Sequence, residues 1–442
     1  MSINQVQKVQ VFPQNRSSNL NVWSYESGNP LLVFNIASEE KYLMTNTLRL
    51  NFKLQLRTNT AGLPENQYGT EVRLDPKIGA ASLFQEIEVS NSRNDTLEQV
   101  KYYPRLVASL LGSTSGWGNY TTNLQQSFAA TSNSEASGRI QNRKQQCSMP
   151  LLCAMFMSNS DTNGMLPLGP DHINGIRLVL RLSPSINSNY GTTAGSANGS
   201  YYELSDVSLT YSAAVPEGNM LPKMKSIPLT AYSSYYNVLN NSDETLTIPT
   251  SLGQVLSTTS NFVPTEHISN YSHNENLTNR LLNKNAGGDY DDTAPIRNYD
   301  TLVAGLKKPY QFSQSSVRNV VQNAAGTYTN SSIYEAQRER YYLNSLSSFN
   351  NIKDTLAGGI SEGLQSAVGD DGNFNDRDAN VFGVGARFNG ALTSNGANMK
   401  GRPFTHRIRS TLNGSSPNSI YTYMLHRSVL ILGGNGSATT VE

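Results

Sequence analysis

ASLFQEIEVSNSRNDTLEQVKYYPRLVASLLG, residues 81–112, decides more of the fold than any other stretch of the chain. Phe84, Ile87 and Val89 recur among Leu83, Glu86 and Glu88 in a near-alternating pattern rich in β-branched side chains, which predicts a half-buried strand. Asn91 to Asp95 is polar throughout and predicts a sharp turn. Asp95 stands three residues before Glu98, the spacing of a reciprocal helix cap, so one helical turn is expected over 96–102. Pro104 suits the first turn of a helix and not its interior. A second helix is therefore expected from Pro104, with Leu106, Val107, Leu110 and Leu111 on one face and Gly112 as its stop. A strand, a polar turn and a short amphipathic helix make a unit that packs its helix against the edge of a β-sandwich.

The surrounding chain supports an all-β reading. Leu48, Leu50, Phe52, Leu54 and Leu56 alternate with polar partners in TLRLNFKLQL, and Ile176, Leu178, Leu180 and Leu182 do so against Arg177, Val179 and Arg181. Residues 30–36, 149–157, 204–211, 227–239, 245–248, 254–262, 381–392, 404–412 and 420–432 complete the expected strands. Pro228 confines the strand over 227–239 to a sheet edge. Residues 112–146 and 187–200 read as Gly/Ser/Asn loops, and so does 271–301. A weak helix is expected from Ser332 through Val368, where Gly358, Gly359 and Gly363 each cost about 1 kcal/mol against alanine.

Only 15% of the 442 residues are charged, while Gly (34) and Tyr (23) are abundant, which suits short strands joined by polar loops. The length exceeds what one core usually serves, so two domains are expected. A formal net charge of +1 gives no one-signed field for nonspecific nucleic-acid binding. The chain has no apolar run of membrane-spanning length and no charged-then-apolar leader, and is expected to be made in a cytosol. Cys147 and Cys153, the only cysteines, would lie roughly 20 Å apart on one face of a strand, beyond disulfide reach, and read as buried free thiols.

The segments LFQEIEVSNSRNDTLEQVKYYPRL (83–106), MLPLGPDHINGIRLVLRLSP (165–184) and YYELSDVSLTYSAAVP (201–216) resemble the first jelly roll of double-jelly-roll major capsid proteins. That lineage of icosahedral double-stranded DNA viruses includes virophages, polinton-like viruses and adenoviruses with their hexons. The resemblance implies two consecutive eight-stranded jelly rolls with short flanking helices: an arm over 1–24, jelly roll 1 over 25–218, jelly roll 2 over 219–435 and a tail over 436–442. It also implies a homotrimeric, pseudo-hexagonal capsomer in a virion shell. Its partners would be neighbouring capsomers, penton and minor capsid proteins, and an internal membrane or packaged DNA at a basic surface. No cofactor and no small-molecule substrate is expected. A second reading from another class is a β-sandwich that binds or cleaves glycans, for which Tyr-rich loops would suit sugar contacts. The halves follow one plan: GIRLVLRLS, a Gly/Ser/Asn loop and YYELSDVSLTY parallel FTHRIRSTL, NGSSPNS and IYTYMLHRSVLIL.

Residues that carry chemistry elsewhere are scattered. His172, His267, His273, His406 and His426 have no zinc spacing and read as surface or hydrogen-bonded histidines; His267 and His273, beside Glu266 and Glu275, come closest together. Asp371, Asn373 and Asn375 copy the first ligands of a calcium loop. Asp376 stands where that loop needs glycine and Phe382 where it needs the bidentate glutamate, so a solvated loop is expected there, as at Asp289, Asp291 and Asp292. Gly383 and Gly385 lack the third glycine and the lysine of a phosphate loop, and GSTSG puts Thr114 at the nucleophile position of an elbow. No catalytic, cofactor or metal residue is assigned. From Ala379 to Val441 there is no acid, whereas Arg387, Lys400, Arg402, Arg407, Arg409 and Arg427 accumulate, either as one cationic face or as solvated charges on separate strands.

Overall fold

The computed structural model describes residues 3–16, 21–58, 72–74, 78–114, 144–157, 164–185, 190–191, 200–241, 243–265, 268–269, 271, 296–303, 306–307, 312–313, 384–387, 396–410, 418–432 and 438–441. Two jelly rolls follow one another along the chain. Barrel 1 contributes β1 (Ile3–Val11), β2 (Leu31–Ile36), β3 (Tyr42–Thr58), β4 (Phe84–Asn91), β5 (Thr96–Lys101), β6 (Gln145–Pro150), β7 (Ile176–Leu182) and β8 (Ser200–Pro216). Barrel 2 contributes β9 (Ser226–Leu239), β10 (Asp243–Ile248), β11 (Val255–Pro264), β12 (Ile296–Val303), β13 (Leu306–Lys307), β14 (Val384–Arg387), β15 (Phe404–Ser410) and β16 (Asn418–Leu432).

The sheets of barrel 1 run β1-β8-β3-β6 and β2-β7-β4-β5; those of barrel 2 run β9-β16-β11-β14 and β10-β15-β12-β13. Adding eight to each strand number of the first pair gives the second pair. All these pairings are antiparallel, and opposed sheets of one barrel exchange consecutive strands, which is the jelly-roll solution to the edge problem. Over these sixteen strands the halves share one order although their letters share little; the short strands Val22–Trp23 and Met165–Pro167 in the first half and Phe312–Ser313 and Ala438–Val441 in the second pair outside it.

Alternation fixes which face each strand buries. Leu48, Leu50, Phe52 and Leu54 of β3 point inward, while Arg49, Asn51 and Lys53 point out. Phe52 meets Phe84 of the opposite sheet edge-on at 6.1 Å. Leu178 and Leu180 of β7 stand between Val89 and Ile87 of β4 on one side and Phe34 and Leu32 of β2 on the other, all buried. The turn into β7 uses Asn174 and Gly175, both left-handed; at Gly175 a Cβ would sit 2.7 Å from the Ile36 carbonyl oxygen, so only glycine fits. Pro228 lies in β9, an edge strand, as its missing N–H requires.

Five sequence expectations change. Residues 96–101 form β5 and not a helical turn. Asp95 does not cap a helix: its N–H and carboxylate are both satisfied by the Asn91 side chain, which closes the hairpin, and Glu98 is drawn into the core. The helix after it, α1 (Tyr103–Thr114), begins one residue before Pro104 and runs two past Gly112. The apolar run 149–157 is strand only to Pro150, because Ala154–Phe156 turns as a 3-10 segment at the barrel end. Residues 296–301, read as loop, belong to β12, where Tyr299 lies opposite Ile408 of β15. Residues 1–24, read as an arm, contribute β1 along β8, with Val6 opposite Ala214. The helix expected over 332–368 lies outside the described residues.

Candidate functional site at the seam between the barrels

Among the described residues, a buried carboxylate with three backbone donors joins the two barrels. β5 is an edge strand of barrel 1 and β9 an edge strand of barrel 2, and they lie side by side. Glu98 shares a face of β5 with Val100, and both stand opposite inward residues of β4, Val89 and Ile87. A carboxylate in a core register must be satisfied or neutralised. Glu98 takes three backbone N–H groups: Ala154 at 2.8 Å and Met155 at 3.0 Å from the 3-10 turn, and Tyr232 of β9 at 3.0 Å. Burial pushes its carboxyl up to about 7, against the lowering effect of the Met155, Ala154 and Tyr232 amides. Lys101 adds a backbone N–H to Ser234 Oγ at 3.3 Å.

Above Glu98 the seam becomes aromatic. Tyr102 adopts a left-handed conformation between β5 and α1, φ 53°, which starts the helix against barrel 2 and aims its carbonyl at Tyr423, whose hydroxyl donates to it at 2.7 Å. Tyr102, Tyr236 and Tyr421 form a triangle with ring centroids 5.0–5.8 Å apart. Arg105, in the first turn of α1, is fully buried, with its guanidinium carbon 5.6 Å from the Tyr271 ring and 5.5 Å from the Tyr421 ring. Asn261 of β11 donates to the Arg105 carbonyl, and Tyr421 donates to Ile268 at 2.9 Å. Thus β5, α1 and the 3-10 turn of barrel 1 lie on the outer face of β9-β16-β11, and one continuous hydrophobic cluster includes Leu83 and Val100 from one barrel with Tyr232, Tyr421 and Tyr423 from the other.

This arrangement fixes two barrels in one orientation. A groove of about 570 Å³ opens beside it, lined among others by Thr96, Lys101, Ser233, His426 and Ser428. His426 Nε2 lies 3.0 Å from Ser233 Oγ.

Three histidines are buried and held by hydrogen bonds. His172 meets the Pro222 carbonyl at 2.9 Å, and His406 meets Thr422 at 3.1 Å and Ser260 at 3.3 Å, with burial lowering its imidazole to about 3. His267, His273, the acidic clusters at 289–292 and 370–378, and Gly383 lie outside the described residues. Among the described residues no three His, Cys, Asp or Glu side chains come together as a metal site. Thr114 ends α1. The basic residues of the last segment do not share one sheet: Arg407 and Arg409 lie on β15 and Arg427 on β16, in opposed sheets of barrel 2.

Cys147 on β6 and Cys153 beyond its end are buried free thiols. Burial pushes Cys147 up to about 12 and raises Cys153 well above the usual thiol range, helped there by the nearby Glu98 carboxylate. In the native protein at pH 8 a disulfide reagent is expected to label neither thiol within minutes, and to label both after unfolding in guanidinium. Fast labelling of either native thiol contradicts this packing.

No protein-family model matches the chain, and no curated protein matches it. Solved structures do. The PBCV-1 virus capsid structure is similar over 100% of this chain and 98% of that one, with 11% identity and a TM-score of 0.60. The PBCV-1 capsid protein fitted into a reconstruction of the virophage Sputnik covers 100% and 98%, with 11% identity and a TM-score of 0.58. The Faustovirus major capsid protein covers 97% and 90%, with 8% identity and a TM-score of 0.57. The chain has the double-jelly-roll fold of these viral capsid proteins.

Proposed function

We propose that this chain is a major capsid protein, a structural unit that assembles as a homotrimer into the pseudo-hexagonal tiles of an icosahedral double-stranded DNA virus shell. The observation that carries this reading is the repeated strand order on either side of a rigid seam. Two topologically equal barrels locked side by side give one chain two of the six corners of a hexagonal tile, so three chains complete it under closed three-fold symmetry. The whole-length similarity to viral capsid structures supports the same assignment. The work of such a protein is geometric: buried side chains keep the barrels in register, and outward polar strands are left to meet neighbouring tiles. Among the described residues no helix is long and apolar enough to cross a membrane. Size exclusion with light scattering tests the assignment. A stable species of three times the 48.3 kDa chain mass is expected, and a monomer at all concentrations overturns it.

A further inference from the structure

The link between the barrels is tied to barrel 1 by two polar contacts, and both end on one small space. The Leu221 N–H donates to Glu40 Oε2 at 2.9 Å, and His172 Nε2 lies 2.9 Å from the Pro222 carbonyl oxygen. A carbonyl only accepts, so Nε2 carries the ring hydrogen and Nδ1 of the neutral imidazole is a bare lone pair. His172 is 3% exposed, and its Nδ1 has no hydrogen-bond partner. Gly169 decides what that nitrogen borders. A Cβ there would stand 2.9 Å from His172 Nδ1, 3.0 Å from Glu40 Oε1 and 2.9 Å from Leu221 Cδ1. The φ of Gly169 is not positive, so the backbone does not demand glycine; what the missing side chain leaves is room between the nitrogen and the carboxylate oxygen.

We propose that His172 and Glu40 form a proton-operated clasp on the interbarrel link. With the imidazole neutral, two acceptors face one space with no hydrogen between them, an arrangement that leaves a buried lone pair unsatisfied. When solvent supplies a proton to Nδ1, the imidazolium has the Glu40 carboxylate beside it, and the Nε2–H bond to Pro222 becomes charge-assisted. Leu221 Cδ1 closes the third side of the space, so a hydrated cation has no room where a proton does. The clasp thus tightens as pH falls and slackens as pH rises. The other charged groups of these elements are exposed or engaged elsewhere: Asp171 on the turn, Glu217, Lys223 and Lys225 on the link, Glu39 with Lys41, and Arg93, which donates to the Pro170 carbonyl at 3.2 Å. Tyr42, packed under Leu221, is raised by burial and keeps its proton. Just ahead of the clasp Gly218 and Asn219 turn left-handed and Met220 is 71% exposed, so the clasp and the packing of Leu221 on Tyr42 and Ala214 hold this stretch. The device works within one chain and stands apart from the capsomer reading.

Hydrogen exchange of the link, residues 217–225, followed from pH 5.5 to 8 and corrected for the intrinsic rate at each pH, tests the clasp locally, where Glu98 at the seam does not enter. Wild-type protection of this segment is expected to fall about tenfold over that range. His172→Gln keeps an N–H for the Pro222 carbonyl but cannot take the proton, so its link should stay at the weaker, pH 8 level throughout. Glu40→Gln should do the reverse: its carbonyl accepts the Leu221 N–H and its NH2 donates to the bare Nδ1, which holds the link at the stronger, pH 5.5 level at every pH. A merely structural role would weaken both variants alike. Residues 229–235 at the seam should exchange in both as in wild type, and if one variant fails to fold the other decides. A flat wild-type profile, protection that rises with pH, a pH dependence kept in His172→Gln, or a Glu40→Gln link no better held at pH 8 than wild type overturns the proposal. So does a change in wild-type protection on adding zinc or EDTA, because the space then holds a cation and not a proton.

Discussion

Replacing Glu98 with alanine is expected to cost about 4 kcal/mol of folding stability in urea unfolding. The change strands the N–H groups of Ala154, Met155 and Tyr232 in a site closed to water, and each orphaned buried donor costs roughly 1–3 kcal/mol. Part is regained because the desolvated carboxylate is gone. Glu98→Gln can keep Oε1 as the acceptor for Ala154 and Tyr232 and sets an amide NH2 only against the Met155 N–H, so it should recover more than half of the loss. The pH dependence separates the two variants from wild type. The folded carboxyl holds its proton to about pH 7, while the unfolded one releases it near 4.5. The folded state thus binds more protons between these values, and wild-type stability falls as pH rises from 4.5 to 7, by about 3 kcal/mol, then levels off. Both variants should lose that slope. A wild-type curve that rises with pH through this window contradicts the assignment of Glu98 as a buried acid with a raised carboxyl.

Tyr421→Ala should cost a similar amount, about 4 kcal/mol, and alter how the protein unfolds. The ring is fully buried and touches Tyr102 at 5.0 Å, Tyr236 at 5.3 Å and the Arg105 guanidinium at 5.5 Å, and its hydroxyl holds the Ile268 carbonyl. Removing it leaves a cavity at the seam and takes the Tyr421 ring away from the buried Arg105 guanidinium, which keeps the Tyr271 ring. Calorimetry should show wild type melting in one transition through the shared core, and Tyr421→Ala in two, as the barrels uncouple. Tyr25→Ala, at a side chain 49% exposed, should change stability by less than about 0.5 kcal/mol. Equal effects at the two tyrosines would place the mechanical joint somewhere other than the seam.

The strands of both barrels were legible where one face is buried and the other wet. In 48–56 every second residue is apolar, and that period survives any loop arrangement. The 96–101 segment was misread for a physical reason. Leu97 and Val100 stand three apart and Asp95 and Glu98 have the spacing of a helix cap, so local rules favoured a turn of helix. What decided the strand was tertiary: Thr96 pairs with Ser90, Val100 with Ile87, and the Glu98 carboxylate is satisfied by amides 56, 57 and 134 residues away.

The seam itself lay beyond sequence reasoning, because its halves come from far apart in the chain. Arg105 and Tyr421 carry no local sign that they meet, and a basic residue on a helix normally reads as a solvated charge. The helical pattern pointed the other way: on a helix Arg105 lies opposite the face of Leu106, Val107, Leu110 and Leu111, where a solvated charge is expected, and only barrel 2 packing on that side buries it. The cationic segment after Ala379 follows the second of its two readings: the charges accumulate along the sequence, but strand exchange between opposed sheets sends Arg407 and Arg427 to different sheets.

Electron microscopy of the purified protein tests the central claim most directly. Class averages viewed down the particle axis should show six barrel-sized densities in a ring with three-fold symmetry, every second pair joined by the tighter, tyrosine-filled contact. Isolated two-lobed particles, or a ring whose subunit count is not a multiple of three, would contradict it.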